Sequence, residues 1–281
     1  MSIETHEQFF GMQAAGAVVA RALAEMRRAV RPGVTTAELD LVAADVFEAA
    51  GARSGPQLDY DFPGVTCISV NDEAIHGIPG PRQLEPGDLV KLDVTAELNG
   101  FYADACDTVP VGGGDSLATQ LVASAWRALA AALRVATAGA PLNGIGAAVE
   151  RHVTSDGFSV CAELTGHGIG RRIHEEPTVA NTWLPQFGEP LREGLVLTIE
   201  PVIAAGPPRS AARTTAGPFA RPTVRSPRTS NTPLSSAAAV RSCSRRRRSR
   251  PSWRRSRARI SRFAFSSSCV PWRLSPTGAP R

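Results

Sequence analysis

Acidic side chains stop at Glu200: the remainder of the 281-residue chain contains no Asp or Glu. From residue 207 onward there is no Lys either, although Arg is abundant. No apolar run approaches the ~18 residues needed to span a bilayer, so no transmembrane helix is expected. The opening stretch MSIETHEQFF lacks a basic n-region and an apolar h-region, and no secretory signal is expected. No Cys-x-x-Cys pair occurs among Cys67, Cys106, Cys161, Cys243 and Cys269. That odd, scattered set argues for reduced thiols in a cytosolic protein, against a disulfide framework or a zinc ribbon.

What remains is globular in composition, with 43% hydrophobic and 20% charged residues, enough chain for one large domain or two small ones. The net charge of +5 conceals a division. Residues 1–206 hold 13 basic and 26 acidic side chains, whereas residues 207–281 hold 18 Arg and nothing to balance them. Surfaces so different are read separately, as an acidic body (1–206) and an Arg/Ser/Pro-rich tail (207–281).

In the body, residues 7–30 read as an amphipathic helix ended by Pro32-Gly33. Thr35 and Glu38 form a capping box that opens a second helix running to Ala50 and stopped by Gly51. Residues 65–70 alternate and are β-branched, as a strand requires. Residues 116–138 and 143–156 predict helices closed by Gly139 and Gly157, and 158–164 and 195–203 predict strands. Helices that alternate with antiparallel hairpins argue for an α+β fold.

The hairpin over residues 89–109 carries the first chemistry. Asn99-Gly100 suits a type I′ turn, which needs positive φ at both central positions. Pairing outward sets Thr95 opposite Asp104 and Asp93 opposite Cys106. Asp93 and Asp104 then share a face, diagonally displaced by roughly 7–8 Å at the backbone, while Asp107 points the other way. Two converging carboxylates repel unless a cation sits between them; the competing reading is a pair of solvated acids on an exposed face. GHGIGRRIHEEP supplies His167 and His174 in a Gly-flanked, turn-like setting, and His76 lies in the similar NDEAIHGIP. Histidine serves as a metal ligand and as a proton shuttle. Glu200 ends an apolar strand, where an acid needs a partner.

NDEAIHGIP, the pair KLDVT and YADACDT, GHGIGRRIHEEP and LTIEP, in that order, closely resemble the type I methionine aminopeptidases of the pita-bread (creatinase/aminopeptidase) fold. The resemblance covers residues 9–205. It implies that Asp93, Asp104, His167 and Glu200 hold two divalent ions (Co, Mn, Fe or Zn), with Asp104 bridging. His76 and His174 are then substrate-binding and catalytic, Glu200 the proton acceptor, and Phe62 and Cys67 part of the methionine pocket. Plain core packing competes for Cys67. The implied activity is removal of N-terminal methionine from nascent polypeptides by metal-activated water, in the cytoplasm, by a monomer that has no membrane partner and works in proximity to the ribosome.

The pattern breaks after LTIEP. The family expects a further strand pair ending in a Glu that bridges both ions, and this chain has no acid there. Three readings of the tail stand side by side: an Arg-rich arm for nucleic acid, a solvated segment that cannot offset its ordering entropy, and sequence translated out of frame. Shifted by one base, the codons of residues 228–233 permit His-Phe-Glu-His-Thr, as the family pattern requires. The expected consequence is a fold disrupted at its C-terminal part. A catalytically dead relative, acting as a binding module with an RNA-contacting tail, is the alternative function.

Overall fold

The first two helices begin where side chains can satisfy their free N–H groups. In the computed structural model, α1 (His6–Ala29) starts from a capping box between Thr5 and Gln8, and α2 (Thr36–Ala50) from the expected one between Thr35 and Glu38. Gly51 closes α2 in the left-handed conformation, φ 64°. Met12, Ala15, Val19, Ala22 and Met26 form the buried stripe of α1. The structure describes residues 1–206, 234–236 and 239–242, all of them in one unit, Met1–Arg246.

That stripe packs on a hairpin of β3 (Leu89–Leu98) and β4 (Phe101–Pro110). Asn99 and Gly100 take φ 52° and 81°, and pairs run from Leu98↔Phe101 to Leu89↔Pro110, the register that the turn predicts. Val90, Leu92, Val94 and Ala96 turn toward the helices, which leaves Lys91, Asp93, Thr95 and Glu97 on the opposite face. The far edge of β3 takes β1 (Arg53–Ser54) and β2 (Cys67–Val70). Between those two lies α3 (Gly55–Tyr60), a short helix that the sequence reading did not contain.

The second half centres on α4 (Ser116–Val135) and α5 (Asn143–Ser155), whose apolar faces bury Leu121, Leu129, Ile145 and Val149 with Leu197, Ile199 and Ile203. β5 (Ser159–Val160), β6 (Gly166–Gly168), β7 (Glu175–Val179), β8 (Val196–Ile199) and β9 (Val202–Ala204) follow. The continuous strand expected over 195–203 is two strands, broken at Glu200-Pro201 because proline has no N–H for the ladder. The strand expected over 158–164 shrinks to β5. The stretch around His167, expected as a turn, is instead the strand β6, paired with β7 and β8.

Two short strands lie beyond the charge boundary at residue 206. β10 (Leu234–Ser236) pairs with β9 and β11 (Ala239–Ser242) with β8, both antiparallel. The other residues of the tail, and with them the readings made for it, lie outside the described residues. No helix among the described residues is long and apolar enough to cross a membrane.

Candidate metal centre

The polar face of the hairpin is the floor of the site. Asp104 is 7% exposed, and its Oδ1 is buried without a hydrogen-bond partner. Asp93 lies one diagonal away on the same face, close enough for the charge of Asp104 to bear on it. In the strand register Asp93 stands between Cys67 on β2 and Cys106 on β4. Lys91, two residues back, is buried, and its Nζ donates to the Asn71 carbonyl at 2.8 Å.

The opposite wall comes from β6 and β8. Glycine is required there by crowding: a Cβ at Gly166 would sit 2.6 Å from the Thr198 carbonyl oxygen, and one at Gly168 2.2 Å from that of Glu176. The close approach brings the His167 Nε2 to 3.2 Å from Glu200 Oε1 and 3.8 Å from Asp104 Oδ2. Its Nδ1 lies 2.9 Å from the Gly168 carbonyl; donating there leaves the Nε2 lone pair facing the acids. Thr198 Oγ1 accepts from the His167 N–H at 2.9 Å and donates to Glu200. The sequence reading missed Thr198, although it lies on β8 only two residues before Glu200, which directly follows that strand.

The remaining predicted residues surround this group. His174 follows a turn closed by Glu175, which accepts from the N–H groups of Arg171 and Arg172. Its ring lies 4.2 Å from that of His167, edge on. Tyr60, another residue missed, hydrogen-bonds its Nδ1. His167, His174, Glu175 and Glu176 line a cavity of about 410 Å³. His76 has φ 56°, unusual for an L-residue. It is held by Gly77, whose N–H donates to Ser69 Oγ and whose carbonyl accepts from Ile68. Cys67 is buried, and burial followed by the charge of Asp93 pushes its thiol well up. Phe62 is half-buried after α3.

The electrostatics describe a site crowded with negative charge. Burial, then the neighbouring Asp104, pushes Asp93 well above the usual carboxylate range. Burial and the charge of Glu200 push Asp104 up to about 8. Burial alone would raise Glu200, but His167 and Thr198 outweigh it and hold Glu200 low. His167 is held up by Glu200 against its own burial. His174 falls to about 4, through burial and the nearby His167.

One ligand atom each from Asp104, His167 and Glu200 lies within 4.8 Å of the others. Mixed oxygen and imidazole donors of this kind suit a first-row divalent ion, and the orphaned Asp104 Oδ1 and the elevated acids are what such an ion would relieve. The residues therefore fit a metal.

The profile of metallopeptidase family M24 matches residues 11–221. Methionine aminopeptidase 2 of Bacillus subtilis is 42% identical over 206 residues, 73% of this chain and 83% of that protein. The crystal structure of methionine aminopeptidase from Thermotoga maritima superposes with a TM-score of 0.77 at 28% identity, covering 87% of this chain and 96% of the other. Prolidase from Pyrococcus furiosus, at 19% identity and a TM-score of 0.67 over 86% of this chain and 62% of its own, shares the pita-bread fold. With this fold, this donor set and this identity, the chain belongs to the M24 metallopeptidases, among the methionine aminopeptidases.

Proposed function

We propose that this chain removes N-terminal methionine from peptides, with Asp93, Asp104, His167 and Glu200 holding two divalent ions. The convergence of Asp104, His167 and Glu200 within 4.8 Å, in a chain 42% identical to a methionine aminopeptidase, carries the reading. Mn, Fe, Co or Zn bound there would supply Lewis acidity, acidifying water and polarising a carbonyl. Glu200, ionised near neutral pH, is the acceptor for the proton shed by the attacking water. His174, neutral at the same pH, presents an N–H to the oxygen on which charge develops. His76 contacts the substrate from the loop held by Gly77, and Phe62 and Cys67 wall the pocket for the methionine side chain. The substrates are nascent polypeptide N-termini, met by a monomer in the cytoplasm near the ribosome, with no membrane and no selected nucleic-acid partner. Residues 1–206 are the catalytic body, and residues 207–281 are an Arg/Ser/Pro-rich segment whose codons, shifted by one base, permit the missing Glu.

One observation favours a second reading. No acidic residue follows Glu200 to complete the second ion's ligands, which would leave a binding module without turnover. Metal content by mass spectrometry and hydrolysis of a Met-Ala-Ser peptide separate the two. Bound metal with released methionine supports the enzyme. Bound metal without release, in a protein whose frame-restored form does release methionine, supports the binding module for the chain as it stands. Absence of metal from both proteins overturns the centre.

A further inference from the structure

His174 can donate to a developing oxyanion only if its proton sits on the ring nitrogen that faces the site, and two adjacent residues of α3 bear on that choice. The Tyr60 hydroxyl hydrogen-bonds Nδ1 of His174, with the rings 5.6 Å apart and tilted by 55°. Asp59 grips the same segment by its backbone, since Oδ2 accepts from the Ile173 N–H at 3.2 Å. The other oxygen, Oδ1, accepts from the Tyr102 hydroxyl at 2.9 Å, and Tyr102 lies on β4 two residues before Asp104. The last turn of α3 is thus bonded to the side chain of His174, to the backbone just before it, and to the strand that carries Asp104. Asp61, at φ 50°, caps α3 directly after Tyr60.

We propose that Tyr60 and Asp59 are positioning residues for His174. Tyr60 donates its O–H to Nδ1, so that the neutral imidazole carries its proton on Nε2, while Asp59 keeps the His174 segment in register with β4. Burial and the charge of Asp59 push the Tyr60 phenol above its ordinary value, so the hydroxyl retains its proton at neutral pH. A neutral imidazole has one donor and one acceptor nitrogen, and the bond made by one assigns the other. Tyr60 is 50% exposed, so water competes for the bond and its removal weakens the preference rather than abolishing it.

The inference rests on His174 acting as proposed above, and its test separates the two. The ¹⁵N spectrum of the histidine-labelled, metal-free full chain near neutral pH reports the tautomer of each imidazole. Wild type should show the Nε2–H form for His174, and Tyr60→Phe, which keeps the ring, should show a mixture. With metal restored, the same variant should lose about tenfold in kcat at unchanged KM, a fraction of the loss expected when the oxyanion donor itself is removed. Asp59→Asn should lower kcat in the same direction, with broadened His174 resonances. An unchanged tautomer in Tyr60→Phe with only KM raised would make Tyr60 a pocket wall and overturn its role. Unchanged kcat and resonances in Asp59→Asn would overturn that of Asp59. A tautomer shift in a protein that never releases methionine supports the positioning and counts against the aminopeptidase reading alone. Both positions are exposed enough to tolerate substitution, and a melting temperature close to wild type confirms it.

Discussion

Asp104 and Asp107 stand three residues apart on β4, at 7% and 8% exposure, and their surroundings are opposite. Asp104 faces the polar side of the hairpin, where the charge of Glu200 bears on it and one of its oxygens has no partner. Asp107 faces α1, where Arg27 donates to it at 2.6 Å, and it accepts from the Thr108 N–H at 2.9 Å. Burial pushes both acids up, but Asp107 has a permanently charged guanidinium at 2.6 Å to offset the cost, whereas Asp104 has the His167 ring at 3.8 Å, and that ring lies nearer to Glu200. A buried carboxylate is therefore either internally compensated, and structural, or left for something external to compensate. One step in strand parity decides which.

The largest effect should come from Asp104→Asn. Titration calorimetry with Mn or Co should show at least ~100-fold weaker binding, and Asp93→Asn should act in the same direction. Unchanged affinity in both would remove the distinction between the two faces. Next, His174→Ala should retain its metal while kcat falls by about 10²–10³, the loss expected for one oxyanion donor. His76→Ala should follow the same pattern. Loss of metal from either would make that histidine a ligand rather than a partner of the substrate.

The pH dependence of the metal-free chain sharpens the contrast further. Asp104 titrates near 8 in the folded state and near ~3.9 when unfolded, so between these values the native state holds a proton that the unfolded chain has shed. Its contribution to stability is present at low pH and lost as pH rises toward 8, with a limiting slope of about 1.4 kcal/mol per pH unit. Denaturant melts of the metal-free protein should show that decline, and Asp104→Asn should flatten it. A decline equally steep in the variant would assign it to other groups. Asp107→Asn should be the mildest change. Metal binding should be intact, and because Arg27 is half-exposed the loss should be about 1 kcal/mol, read as a drop in melting temperature of ~2–4 °C. Weakened metal binding in this variant would join the two faces that the hairpin separates.

Much of this was legible along the chain. The Asn99-Gly100 turn carries the whole register of β3 and β4, and with it the shared face of Asp93 and Asp104. Thr35 and Glu38 announce α2 in the same way. The misses have physical causes. β6 is three residues long and two of them are glycine, so no propensity marks it as a strand; the glycines are there because neighbouring strands leave no room for a Cβ. α3 is too short for a period to appear. α4 stops at Val135 although the following Ala136-Thr137-Ala138 has no breaker until Gly139. There Ala140 bonds back to Thr137 and Gly139 to Leu191, and these contacts outweigh helix propensity.

What the sequence determined by itself was the set of local choices: where helices are capped, where the hairpin turns, and which acids share a face. Turns and alternation act between near neighbours and need no knowledge of the rest of the chain. Only the tertiary structure decided that Glu200 and His167 close over Asp104, that Thr198 bonds to both of them, and that Tyr60 reaches the ring of His174. Apart from the local bond between Thr198 and Glu200, those contacts join residues 31 to 114 positions apart. They arise when separate sheets and helices bury their apolar faces together, and the same burial removes the water that would otherwise leave each acid and imidazole at its ordinary pKa.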